Sequence, residues 1–85
     1  MNTRVAVISI IVEEKTSIAK VNELLHECSD FIIGRMGIPY KQRNIRIISV
    51  AIDAPQDIIA SLSGKIGKLN GVSVKTTFQT VDADA

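Results

Sequence analysis

His26 and Cys28 are the softest metal ligands in this 85-residue chain, and each is the only residue of its kind. Two positions apart on a helix, they point about 200° from each other. They cannot share one ion within a chain, and no metal or other cofactor is expected. "SGKIGK", Ser63 to Lys68, has the glycines and lysines of a phosphate loop. That loop needs four residues between its glycines, then Lys and Ser or Thr, all following a strand. Gly64 and Gly67 are separated by two residues, and Ile58, Ile59 and Leu62 ahead of them have helical spacing. Acyl or hydrolytic chemistry would need a base beside a nucleophile. His26 falls on a helix flank, Ser9 and Ser49 fall on a sheet face without a basic partner, and Glu13, Glu14, Asp53 and Asp57 fall at element ends. The chain reads as a non-enzyme.

Arg35, Lys41, Arg43 and Arg46 place four of the ten basic residues in one hairpin, with Tyr40 among them. Such a cluster suits an anion or an acidic partner. Direct nucleic-acid binding is not expected, because the net charge is only +1 and Phe31, Tyr40 and Phe78 are too scattered to form a stacking platform. "FIIGRMGIPY", Phe31 to Tyr40, raises a related question. Gly34 and Gly37 let a backbone or ligand approach and let a strand bend before Pro39, while Arg35 and Met36 alternate sides. Turn geometry and subunit packing explain it first, and an effector site using Arg35 second.

The elements that must position these residues follow from periodicity. Arg4 to Val12 is apolar and β-branched and reads as a strand. "TSIAKVNELLHEC" reads as a helix capped by Thr16 or Ser17, with Ile18, Val21, Leu25 and Cys28 on its buried stripe and Leu24 beside it. "DFIIGRMGI" and "IRIISVAID" are strands joined through "PYKQRN". "APQDIIASLSGKIGKL" is a second helix, with Pro55 in its first turn, Asp57 near the positive end of its dipole, and Ile58, Leu62, Ile66 and Leu69 buried. Gly64 and Gly67 are poor helix formers, so its end is either frayed or pressed close to a neighbour. "SVKTTFQTV" is the last strand, ahead of an acidic tail at residues 81–85. The order predicts an α+β, ferredoxin-like βαββαβ sandwich: a four-stranded antiparallel sheet, strands one and three central, with two helices on one face. Residues 1–85 make one domain with its core at about 3–80.

Alternation along the two central strands leaves Val5, Val7, Ser9, Ile11, Ile47 and Ser49 on the face away from the helices. A bare apolar sheet face is uncommon on a monomer, so these residues are the expected interface of a homo-oligomer, a dimer or tetramer. A single cysteine excludes an intrachain disulfide and points to a reducing cytoplasm. The N-terminal apolar run is too short for a leader and reads as strand one, and no run approaches a membrane-spanning length.

Taken together, "RVAVISIIVE", "FIIGRMGIPY", "ISVAIDAPQDII", "LSGKIGKL" and "GVSVKT" resemble the small ACT-like proteins grouped as regulators of the iron-only hydrogenase system. The resemblance spans about residues 3 to 77, and "IIGRMGIPY" with "DAPQD" is its most specific part. It implies a ferredoxin-like fold, an oligomer and a regulatory role. In ACT domains, effectors bind at subunit interfaces near the turn from strand one to helix one and strand two of a neighbour. By position, that implies a ligand site of Thr16 and Ser17 facing Gly34, Arg35 and Met36. The chain departs from the ACT pattern in having Glu13-Glu14-Lys15 where a glycine is usual. The expected function is a regulatory module that senses a small effector or docks on a protein partner. The alternative is an assembly protein that binds another protein without an effector.

Overall fold

The computed structural model describes residues 2–80. The expected acidic tail and Val81, placed at the end of the last strand, lie outside them. The elements run β1 (Thr3–Val12), a 3-10 turn (Lys15–Ser17), α1 (Ile18–Glu27), a second 3-10 turn (Ser29–Phe31), β2 (Ile32–Tyr40), β3 (Ile45–Pro55), α2 (Gln56–Gly67) and β4 (Val72–Phe78). The sheet is antiparallel in the order β2-β3-β1-β4, so β1 and β3 are central as the order of elements predicts.

Alternation decides the two faces. Ala6, Ile8, Ile10 and Val12 of β1 and Ile48, Val50, Ile52 and Ala54 of β3 are buried against the helices. From α1 come Val21, Leu24 and Leu25, and from α2 Ile59, Leu62 and Ile66. This core is wholly aliphatic; Phe31 and Phe78 pack on its margin. In α2 the most deeply buried residue of the first turns is Ile59, whereas the expected Ile58 and Leu69 are only partly buried. The helix is rotated so that Ile59, Leu62 and Ile66, three and four apart, form its inner stripe.

Several boundaries differ from expectation. Asp30 and Phe31 belong to a 3-10 turn, and β2 continues through Pro39 and Tyr40, which pair with Arg46 and Ile45. Proline fits there because β2 is an edge strand with no ladder on its outer side. The hairpin loop is therefore Lys41–Asn44, closed by Asn44 at a positive φ of 57°, a conformation asparagine tolerates. Pro55 has extended backbone and precedes α2 rather than lying in its first turn; Asp57 is in that turn. At the other end of α2, Gly67 lies against Val74, where an added Cβ would come within 3.0 Å of Val74 Cγ1. The helix end is pressed close to β4, not frayed.

Two loops are stapled at the end of the sheet where β1 runs into α1. Glu13 N donates to Gly71 O at 2.7 Å, and Ser17 Oγ donates to Asn70 O at 2.7 Å. Gly71 has φ 69°, and a Cβ there would lie 2.6 Å from Glu14 Cβ. Only glycine fits both the backbone and the space.

Candidate functional site

The face of the sheet away from the helices is crossed by rows of side chains fixed by strand register. One row is Ile38, Ile47, Ile11 and Ser73. The next is Met36, Ser49, Ser9 and Lys75, and the third Gly34, Ala51, Val7 and Thr77. Val5, Val7, Ile11, Met36, Ile38, Tyr40 and Ile47 are all exposed large apolar side chains. Ser9 and Ser49 are paired at the centre, so the middle of the face is built of small residues flanked by aliphatic ones. All six residues expected at a homo-oligomer interface share this face. Met36, Ile38 and Tyr40 of β2 extend it, and they were not assigned to it from the sequence because the glycines and proline of β2 obscure its alternation.

The expected ligand residues fall into two groups. Arg35 pairs with Val50 and so points to the helix side, where Nη2 donates to Asn22 Oδ1 of α1 at 2.6 Å. Met36 pairs with Ser49 and points to the open face. Among the described residues nothing lies within 4 Å of a Cβ added at Gly34 or Gly37, and the β2 register is irregular between Ile32 and Gly34, leaving Ile33 outside the ladder. Thr16 and Ser17 lie at the other end of the α1 segment, five to six residues before Asn22, about 8 Å along the helix axis. Within one chain they do not meet Arg35. Thr16 N and Oγ1 both donate to the Glu14 carboxylate, at 3.4 and 3.2 Å. Ser17 is nearly buried and caps no helix amide, because its hydroxyl is spent on Asn70 O. The acid at the position where ACT domains carry glycine thus occupies the turn itself.

Arg35 borders an open groove between α1 and the β2 edge that also includes Asn22, Glu23, His26 and Ser29. His26 and Cys28 do not share a cavity. Cys28 lies toward α2, near Ile58, Leu62 and Lys65, where burial, and then the charge of Glu27, push its thiol up from the ordinary range. Among the described residues no three His, Cys, Asp or Glu side chains come together as a metal site. The basic hairpin cluster is split by the fold. Arg35 goes to the α1 groove, while Lys41 and Arg46 line a separate cleft with Lys15. Lys15 is far from them in sequence, and no spacing rule would have linked it to them.

A family model, TM1266-like, described as "Iron-only hydrogenase system regulator, putative", matches residues 4–76. The chain belongs to the TM1266-like family. Its structure is similar to that of the uncharacterized protein TM1266 from Thermotoga maritima, with 37% identity over 92% of this chain and 99% of that one and a TM-score of 0.88. Two more distant structures share the fold alone. A formyltetrahydrofolate deformylase from Pseudomonas putida KT2440 is 14% identical, with a TM-score of 0.64 over 86% of this chain and 28% of that one. CPII, a nitrogen regulatory PII-like protein from Thiomonas intermedia K12 bound to ADP, AMP and bicarbonate, is 14% identical, with a TM-score of 0.53 over 94% of this chain and all of that one. No curated protein matches the chain. The family is described as regulatory, in keeping with the motifs that carried the resemblance, and no helix among the described residues is long and apolar enough to cross a membrane.

Proposed function

We propose that this family member is a regulatory module rather than an enzyme: an ACT-like homo-oligomer, assembled through the open face of its sheet, that senses a small effector or docks on a protein partner in the iron-only hydrogenase system. The observation that carries the reading is the set of large apolar side chains left exposed on that face, continuous from Val5 and Val7 through Ile11 and Ile47 to Ile38 and Met36. A soluble monomer seldom carries such a patch. A second copy supplies an equally apolar surface of matching shape, since a two-fold contact presents the same patch twice. The setting is the cytoplasm, and regulation acts through a partner rather than through direct contact with nucleic acid.

The effector arm of the reading places Arg35 as the anionic anchor, held by Asn22 and bordered by Gly34 and Met36, with Thr16 and Ser17 contributed by the α1 turn of another copy. An arginine fork and helix amides together favour a carboxylate or phosphate. Thermal-shift screening with amino acids, nucleotides and metal ions tests this arm, because a ligand that binds only the native state raises the melting temperature. A shift lost in Arg35→Ala supports sensing. No shift at millimolar ligand, with the oligomer intact, leaves assembly on a protein partner as the function.

A further inference from the structure

We propose that the cleft between the start of α1 and the β2–β3 hairpin binds a phosphate monoester with an apolar body. The cleft, about 430 Å³, is within the usual size range for small-molecule sites. Three cations line it, Lys15, Lys41 and Arg46, and among the described residues no acidic side chain does. Val12, Ile18 and Pro39 also line it, and Tyr40 and Ile45, which alternation places toward the open face, border it. Charge and grease are thus combined in one concavity.

Each cation is there for a structural reason. Register pairs Arg46 with Val12 on one side and Pro39 on the other, which puts its side chain on the helix side. Its Nε is fully buried with no acceptor in reach. That atom is closed to the cleft, so the guanidinium would meet an anion there through its Nη donors rather than through Nε. Lys41 is set by the hairpin turn, in which Asn44 N donates to Lys41 O at 3.2 Å. Lys15 opens the 3-10 turn before α1, and the neighbouring Glu14 carboxylate is taken up by Thr16. None of the three cations forms an ion pair among the described residues.

Three like charges around one cleft repel one another, and a dianion relieves that repulsion better than a monoanion. A phosphate monoester carries nearly two negative charges and three acceptor oxygens, matching an arginine fork and two ammonium groups. The apolar walls would add affinity for an attached ring or alkyl group, which inorganic phosphate lacks. The cleft lies within one chain and shares no lining residue with the Arg35 groove.

The test is an NMR titration of the intact protein with phenyl phosphate, inorganic phosphate and phenol. Phenyl phosphate is expected to shift the amides of Lys15, Lys41 and Arg46 and to bind more tightly than inorganic phosphate, with phenol weakest. Lys41→Ala should weaken phenyl phosphate about tenfold or more, and Lys41 is exposed, so that variant keeps its fold; Arg46→Gln should do the same if its spectrum remains dispersed. Lys65→Ala removes the same charge from the exposed side of α2, away from the cleft and the open face, and should leave the affinity unchanged. No shifts at millimolar phenyl phosphate, equal affinity for phenyl and inorganic phosphate, or equal losses in Lys41→Ala and Lys65→Ala would each overturn the proposal.

Discussion

Ile47→Asp tests the self-association reading most directly. Ile47 is 38% exposed and lies between Ile38 at 44% and Ile11 at 42% in one row across the open face. Fully burying such a side chain is worth about 1.5–3 kcal/mol, so covering the part still exposed gives about 0.6–1.3 kcal/mol each. Extended to Val5, Val7, Met36 and Tyr40 and doubled for two copies, the face offers about 8–18 kcal/mol. Association itself costs about 4–15 kcal/mol. A micromolar oligomer needs about 8 kcal/mol net, which requires the whole face to be covered and an association cost near the lower end of that range. In a two-fold contact, the substitution removes two isoleucines and buries two carboxylates, each costing several kcal/mol when unpaired. A loss of about 4 kcal/mol would weaken association about a thousandfold. Sedimentation velocity at micromolar protein should then show the native chain as an oligomer and Ile47→Asp as a monomer. The variant should keep its circular dichroism, because the helix side of the sheet is untouched. A native chain that sediments as a monomer, or a folded Ile47→Asp that stays associated, would refute the reasoning.

Other expectations concern stability and reactivity. Gly71→Ala should destabilise the fold by about 1–3 kcal/mol in urea unfolding, since the residue has φ 69° and its new Cβ would meet Glu14. Gly64→Ala, with nothing within 4 Å of its new Cβ inside α2, should instead stabilise by up to about 1 kcal/mol; the same change at Gly67 should gain less because Val74 is in the way. Ile8→Ala, in the middle of β1 and fully buried, should cost about 2–5 kcal/mol. Cys28 should alkylate slowly in the folded protein near neutral pH and at the ordinary rate in denaturant, because its raised pKa leaves less thiolate. By linkage, its contribution is unchanged at neutral pH. As pH rises through the ordinary thiol range the unfolded chain ionises first, so the folded state loses stability there.

The two central strands were legible in the sequence because a strand's faces are set by neighbours two residues away. Val5, Val7, Ile11 and Ile47 against Ala6, Ile8, Ile10 and Ile48 need nothing beyond that alternation. The α1 stripe and the βαββαβ order are local in the same sense. Where local signals compete, reading failed. In β2, two glycines, a proline and the register irregularity near Ile33 concealed that Met36, Ile38 and Tyr40 join the apolar face. In α2, the spacing of Ile58, Leu62, Ile66 and Leu69 pointed to Ile58, and packing against the sheet chose the adjacent Ile59 instead.

The sequence by itself determined that one sheet would carry helices on one side and a second apolar face on the other. Only the tertiary structure decided which loops meet. It brought Lys15 to Lys41 and Arg46, turned Arg35 away from that cluster toward Asn22, and spent the Ser17 hydroxyl on Asn70. Periodicity is written in residues a few positions apart, whereas these contacts arise when the sheet closes in the order β2-β3-β1-β4 and brings distant turns to one end.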